Sequence, residues 1–135
     1  MKTVVDTYAW IEVFIGSACG EKAKEIIQKS EEAYTPDVVI AEVARKYLKE
    51  GVKEQTILER LATIEETSEI TPIDKNIALE SAKCYLELVE RAKERKQAPS
   101  LFDAILLATA RTLGAKLLTG DEHFKGIDET IWIGL

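Results

Sequence analysis

Residues 2–6 read Lys-Thr-Val-Val-Asp, a short run of β-branched residues that ends in an acid. Such a run is typical of a strand that is buried on both faces, as in a parallel sheet. A second apolar run, Ala-Lys-Leu-Leu-Thr at residues 115–119, lies near the other end of the chain and is followed by Gly120 and Asp121. Short apolar strands separated by helical sequence predict an α/β domain.

Helical patterns and three further short strands fill the rest of the chain. Helices are predicted at residues 7–15, 21–29, 36–50, 53–66, 74–96 and 100–113, and strands at 33–35, 68–72 and 130–133. Thr35 is predicted to cap the third helix, with Pro36 in its first position. Helical spacing predicts two apolar faces, one of Ile57, Leu58, Leu61 and Ile64 and one of Ala78, Ala82, Tyr85, Leu86 and Val89. We therefore expect one three-layer α/β/α domain over residues 1–135, with a central parallel sheet of four or five strands.

The charge balance excludes one class of protein. The chain has 135 residues, with 24 Asp and Glu against 18 Lys and Arg, and a net charge of −6. This balance argues against a protein that binds nucleic acid through a broad positive surface. There is no uncharged apolar run near the ~18 residues that a membrane span needs, and no signal peptide pattern, so we expect a cytoplasmic protein.

Four acids are candidates for a common site. Asp6 ends the first strand and Asp121 follows the strand at 115–119. In a parallel α/β domain, ligands bind beyond the carboxyl ends of the strands. Asp103 and Glu42 lie in helices that would pack near this edge.

Each acid also has a purely structural interpretation. Asp6 can cap the following helix, and Asp121 can cap a turn. Asp103 completes a capping box with Ser100. Glu42 can pair with Arg45 or Lys46 at helical spacing, although its neighbours are nearly all apolar.

Carboxylates gathered in one cleft would predict a particular chemistry. They repel one another and raise each other's pKa unless a cation neutralises them. Oxygen ligands favour magnesium or manganese, and such ions commonly assist the attack of water on a phosphodiester. A metal-dependent phosphodiester hydrolase is therefore one prediction for this sequence.

Four segments resemble the PIN-domain ribonucleases, and the small toxins of VapBC-type toxin–antitoxin pairs most closely. They are VVDTYAWIE from residue 4, Ile40-Ala41-Glu42, SLFDAILLATA from residue 100 and LLTGDEHF from residue 117. They occur in the family's order and span positions 4–124, which is nearly the whole chain.

The resemblance implies a set of roles and partners. In the family an acidic quartet binds one or two magnesium or manganese ions, and the matching positions here are Asp6, Glu42, Asp103 and Asp121. A Ser or Thr two residues before the last acid is expected to position a ligand or water, and Thr119 matches it. Thr7 matches a polar position that is frequent in the family. The implied activity is endonucleolytic RNA cleavage. The implied partners are a second copy of the chain, and an antitoxin that often inserts a basic residue among the acids.

Several other residues are candidates for contact with RNA. The basic candidates are Arg45, Lys46, Lys49, Arg91, Lys93, Arg95, Lys96, Arg111 and Lys116, each of which can equally be a solvated surface charge. Tyr8 and Trp10 could stack on bases, or belong to the core or a dimer contact. His123, the only histidine, is interpreted as a surface or hydrogen-bonding residue of a turn rather than a general base.

Two alternative functions remain open at this point. The domain could be a catalytically idle binding module that acts through RNA or protein partners. A receiver-type phosphoacceptor also has an α/β fold and clustered acids. It would need adjacent acids near the first strand, an acceptor Asp after the third strand and a Lys after the last one. The strand at 68–72 leads to Asp74 without that arrangement, and no Lys follows the strand at 130–133.

Overall fold

The computed structural model describes residues 1–94 and 97–135. The strands are β1 (Lys2–Val5), β2 (Glu32–Pro36), β3 (Glu69–Thr71), β4 (Lys116–Thr119) and β5 (Thr130–Trp132). The helices are α1 (Thr7–Ile15), α2 (Ala18–Lys29), α3 (Asp37–Lys49), α4 (Glu54–Thr67), α5 (Lys75–Arg91) and α6 (Leu101–Leu113). Each predicted strand and helix is present, although several ends differ from the prediction.

The five strands form one parallel sheet in the order β3-β2-β1-β4-β5. The chain moves outward from β1 to β3, then returns to the other side of β1. Because strand–helix–strand crossovers are right-handed, this reversal places α5 and α6 on the face opposite α1 to α4. The predicted three-layer α/β/α fold is confirmed, with five strands in its central layer.

The central strands are buried on both faces, as their sequence predicts. Val4 and Val5 of β1 and Leu117 and Leu118 of β4 have no exposed surface. Val4 lies opposite Leu117 in the β1–β4 register. This apolar centre fixes the two strand ends from which the candidate acids project.

The predicted start of α3 is wrong by one residue. Thr35 and Pro36 belong to β2, and α3 begins at Asp37 without a side-chain cap. The hydroxyl of Thr35 instead accepts a hydrogen bond from Trp10 Nε1 at 3.1 Å and bonds the Ser68 hydroxyl at 2.7 Å. Thr35 is fully buried, so these tertiary contacts satisfy it better than a local cap would.

Helix α2 begins three residues earlier than predicted. Ser17 caps it by accepting a hydrogen bond from the Gly20 backbone at 3.0 Å. Gly20 is therefore a helical residue and not a helix breaker. A Cβ at this position would lie 1.9 Å from the carbonyl oxygen of Glu12, so the glycine allows α1 and α2 to pack closely.

Helix α5 buries a different face from the predicted one. The buried residues are Ile77, Ser81, Cys84 and Leu88, and the helix packs on α6. The predicted residues, together with Leu79, are exposed and form what we call the outer face of α5: Ala78, Leu79, Ala82, Tyr85, Leu86 and Val89. Because the helix is apolar on two sides, its periodicity alone cannot indicate which side meets the core.

Two further predictions about the helices have mixed outcomes. In α4, Ile57 and Ile64 are buried as predicted, whereas Leu58 is 65% exposed. Helix α5 ends at Arg91, short of the predicted end at Lys96, and Arg95 and Lys96 lie outside the described residues. Across the described part of the chain, no helix combines the length and apolar character needed to span a bilayer.

Candidate metal-binding cleft

A cleft of about 660 Å³ opens at the carboxyl ends of β1 and β4. All four predicted acids line it: Asp6 after β1, Glu42 on α3, Asp103 on α6 and Asp121 after β4. Strands β1 and β4 are neighbours where the strand order reverses, which is the usual ligand position in α/β sheets.

Asp6 is the most deeply buried of the four acids. Only 2% of its surface is exposed, and its Oδ1 caps α1 by accepting a hydrogen bond from Ala9 N at 2.8 Å. Burial raises the pKa of Asp6 from 3.8 to about 7, against the hydrogen bonds from Thr119 and Ala9, and the nearby charges of Asp121 and Asp103 add to the rise. The capping interpretation is thus correct and compatible with a site role, because Oδ2 is not used for the cap.

Thr119 connects two of the acids. Its side chain is fully buried, and its hydroxyl donates a short hydrogen bond to Asp6 Oδ2. The hydroxyl oxygen of Thr119 in turn accepts a hydrogen bond from the backbone N–H of Asp121 at 3.0 Å. The last residue of β4 therefore fixes the positions of Asp6 and Asp121 relative to each other.

Asp103 lies in the first turn of α6 and completes the predicted capping box. Its Oδ2 accepts a hydrogen bond from Ser100 N at 2.9 Å, and Ser100 Oγ accepts one from Asp103 N at 3.2 Å. The residue is 6% exposed, and burial raises the pKa of its carboxyl group, although the Ser100 hydrogen bond opposes this. The carboxylate of Asp103 therefore both caps α6 and lines the cleft.

Asp121 and His123 lie next to Asp103 and form a cluster with it. Asp121 caps a short 3₁₀ turn by accepting a hydrogen bond from His123 N at 2.9 Å through Oδ1. The ring Nδ1 of His123 lies 3.0 Å from this oxygen and 3.3 Å from Asp103 Oδ2. Of the two interpretations of His123, the hydrogen-bonding one is present, since Nε2 lies 3.4 Å from Gln97 O, whereas its side chain is only 16% exposed and faces two acids. The sequence feature that could have indicated this contact is the position of His123 two residues after Asp121, because one tight turn brings both side chains to the same side.

Glu42 lines the cleft without joining this cluster. Its carboxylate is paired with Arg45, with Nη2 2.6 Å from Oε2, and its side chain is 25% exposed. The predicted helical pairing with Arg45 is therefore present. In the part of the chain that the structure describes, the group of three or more possible metal ligands whose atoms lie within 4.8 Å of one another consists of Asp103, Asp121 and His123, so Asp6 also lies outside it.

Comparison with known families agrees with this architecture. The sequence model of the PIN domain family matches residues 3–130, almost the full length of the chain. The chain belongs to the PIN domain family. No curated protein sequence matches it significantly.

Solved structures share the PIN fold over nearly their whole length. A toxin–antitoxin complex from Klebsiella pneumoniae has a chain 24% identical, with a TM-score of 0.69 and 97% of each chain covered. A VapBC complex of Rickettsia felis bound to promoter DNA has a chain 16% identical, with a TM-score of 0.70 and 98% and 97% covered. A sarcin-ricin loop cleaving toxin of Mycobacterium tuberculosis is 15% identical, with a TM-score of 0.68 and 93% and 95% covered. At these identities the likeness concerns the fold.

The polar atoms of this PIN domain cleft fit a divalent cation. Its acids supply carboxylate oxygens, the ligands that magnesium and manganese prefer. Two buried polar atoms have no hydrogen-bond partner: the hydroxyl of Thr7, which lines the cleft, and Nδ1 of His123, which lies beside Asp103 and Asp121. Orphaned polar atoms are rare inside proteins, and they commonly indicate an ion or water that completes the site.

Four of the seven basic candidates that the structure describes bind groups away from the cleft. Arg45 and Lys46 line the cleft, and Lys49 follows on the same exposed side of α3. The other candidates among the described residues bind groups away from it: Arg91 with Lys125 O, Lys93 with Glu90, Arg111 with Glu87 and Glu129, and Lys116 with Asp128 O. Trp10 is 2% exposed and hydrogen-bonded within the core, so it cannot stack on a base. Tyr8 is only partly buried and lines the cleft.

Proposed function

We propose that the protein is a metal-dependent endoribonuclease that hydrolyses RNA phosphodiester bonds. The observation that carries the proposal is the sharing of one cleft by Asp6, Asp103 and Asp121, with the pKa of Asp6 raised to about 7. Three carboxylates held this way are unfavourable without a cation. Membership in the PIN domain family supports a nuclease.

Asp6, Glu42, Asp103 and Asp121 would hold one or two magnesium or manganese ions. When bound, the ion neutralises the acids and stabilises the negative charge that develops on a phosphodiester under attack by water. Thr119 keeps Asp6 oriented through its donated hydrogen bond. Glu42 must turn from Arg45 toward the other acids, and Arg45 then becomes free to bind a phosphate of the RNA backbone.

We further propose that the nuclease is the toxin of a toxin–antitoxin pair and acts on RNA in the cytoplasm. Structural neighbours include toxin–antitoxin complexes, and one is described as a toxin that cleaves the sarcin-ricin loop. An antitoxin that places a basic residue among Asp6, Asp103 and Asp121 would neutralise these carboxylates in the same way as a cation. A gene for a small antitoxin should lie beside the gene of this protein; its co-expression should abolish RNA cleavage, and unchanged cleavage would contradict the toxin assignment.

We also propose a homodimer formed through the outer face of α5. A helix that is apolar on two sides is usually covered on both, and here only the inner side is buried. In an antiparallel two-fold pairing of α5, Leu79 of one copy meets Leu86 of the other. The same register sets the exposed Lys75 against the exposed Glu90, which gives charge complementarity. The small Ala82 near the centre would let the helices approach closely.

The oligomeric state tests this interface. Wild-type protein should sediment at twice the chain mass, and Leu86→Glu should be monomeric because it buries a charge against Leu79. Leu58→Glu is the matched control, since Leu58 is comparably exposed on α4. Lys75→Glu should weaken the dimer and Lys75→Glu with Glu90→Lys should restore it. A monomeric wild type, or a dimeric Leu86→Glu, would overturn the assignment.

Cleavage of defined RNAs by the purified protein tests the nuclease. Activity should require magnesium or manganese, stop with EDTA, and fall about 100-fold or more in Asp6→Asn, Asp103→Asn and Asp121→Asn. Asp74→Asn is the matched control, because Asp74 caps α5 as Asp6 caps α1 but is exposed. Full activity in any two of the three site variants would refute the proposal. Absence of cleavage with any RNA would favour an idle binding module.

A further inference from the structure

We infer that His123 supplies a nitrogen ligand to the divalent ion of this cleft, so that the site favours manganese over magnesium. The inference rests on the proposed metal dependence and extends it to a residue outside the acidic quartet. His123 Nδ1 lies 3.0 Å from Asp121 Oδ1 and 3.3 Å from Asp103 Oδ2. Neighbouring ligands of an octahedral ion are separated by about 3 Å, since each lies about 2.1 Å from the metal.

The hydrogen bonding of His123 leaves Nδ1 available. On the far side of the ring, Nε2 lies 3.4 Å from the carbonyl oxygen of Gln97. A carbonyl oxygen only accepts, so Nε2 donates to it, and Nδ1 presents a lone pair whenever the ring carries a single hydrogen. Nδ1 is buried and has no hydrogen-bond partner, and it lies beside the two carboxylates. Three acceptor atoms facing one another are satisfied together by a shared cation.

The two carboxylate oxygens of this cluster are already fixed by the backbone. Asp103 Oδ2 accepts from Ser100 N at 2.9 Å, and Asp121 Oδ1 accepts from His123 N at 2.9 Å. Such outer contacts orient metal ligands and reduce the cost of gathering them. A second buried atom also points to a ligand, since Thr7 is 7% exposed, lines the same cleft and has a hydroxyl without a partner.

A nitrogen ligand changes the choice of ion. Magnesium prefers oxygen ligands, whereas imidazole suits the later divalent ions, and affinity rises along that series from manganese. His123→Gln should therefore lower manganese affinity about tenfold or more and change magnesium affinity much less. The glutamine amide reaches the position of Nε2, so it keeps the donor to Gln97 but removes Nδ1. His123→Asn instead sets an amide group near the position of Nδ1 and should recover part of the affinity without a nitrogen signal.

The direct test is pulsed electron paramagnetic resonance of the manganese-loaded protein, prepared without a histidine tag. His123 is the only histidine in the chain, so any imidazole ¹⁴N coupling to manganese must come from it. We expect this coupling in the wild type and its loss in His123→Gln, together with the fall in manganese affinity measured by calorimetry.

The outcomes separate this inference from the proposed function. Manganese bound without ¹⁴N coupling would overturn the histidine ligand and leave the nuclease proposal intact. No manganese binding by the wild type would overturn both. Coupling in a protein that cuts no RNA would support the ligand assignment and refute the nuclease.

Discussion

Asp6→Asn should change the pH dependence of stability of the metal-free protein. The carboxyl group is 2% exposed, and its pKa is raised from 3.8 to about 7 in the folded state, chiefly by burial. Between these two values the folded protein holds a proton that the unfolded chain has released. Stability therefore falls as pH rises through this window, and the contribution is fully lost above pH 7.

The magnitude follows from the pKa difference. Each unit corresponds to about 1.4 kcal/mol, so ionised Asp6 costs the fold about 4 kcal/mol above pH 7 relative to strongly acidic solution. Between pH 5 and pH 8 the share that is lost is about 3 kcal/mol. Asparagine keeps the size of the side chain and an oxygen for Ala9 N, but it carries no charge. In Asp6→Asn this part of the pH dependence should therefore be absent.

Urea denaturation in EDTA at pH 5 and pH 8 measures the effect. The free energy of unfolding of the wild type should fall by about 3 kcal/mol more than that of Asp6→Asn between the two pH values. Asp74→Asn is the control, because Asp74 accepts an equivalent capping hydrogen bond from Ile77 N at 2.8 Å while exposed to solvent. Manganese at pH 8 should restore the wild type more than Asp6→Asn. Equal pH dependence in the wild type and Asp6→Asn would refute the reasoning.

Three further substitutions test the supporting structure. Gly120→Ala sets a Cβ 2.2 Å from Cε1 of Tyr8 and should cost about 1–3 kcal/mol in urea denaturation; the same cost in a Tyr8→Ala background would contradict this clash. Arg111→Met removes a paired hydrogen bond to Glu87, at 3.0 and 2.9 Å, and should cost about 1–2 kcal/mol. A double-mutant cycle with Glu87→Gln that gives no coupling would exclude that pairing. Ser100→Ala removes the α6 cap and should cost about 1 kcal/mol by thermal unfolding, and an unchanged midpoint would refute the capping role.

The fold was predictable because the amino-acid composition of the strands indicates that they are buried. Val4, Val5, Leu117 and Leu118 are apolar without alternation, which only a strand covered on both faces tolerates. Errors arose where tertiary contacts outweigh local signals. The buried hydroxyl of Thr35 binds Trp10 across the domain rather than capping α3. No local pattern contains that contact.

The sequence was sufficient to predict that the acids lie in one cleft, but not that His123 lies beside them. Strand ends and helix starts are visible in sequence, so Asp6, Asp103 and Asp121 could be gathered at one edge. The sequence indicated a hydrogen-bonding turn residue at position 123, but not its place between two acids, because a lone histidine in a turn has no periodic signal. Its placement depends on the 3₁₀ turn and on the distance to Asp103 from a different helix. Likewise, the pairing of Glu42 with Arg45 is a choice among rotamers that spacing cannot resolve.

The hydrogen bond from Thr119 to Asp6 joins residues 113 positions apart, across strands β1 and β4. This separation sets the time at which the cleft can exist during synthesis. A growing chain holds Asp6 from the beginning but lacks Thr119 and Asp121 until β4 has emerged from the ribosome. With the proposed activity, a nascent chain is therefore unable to cut the RNA of the ribosome that makes it.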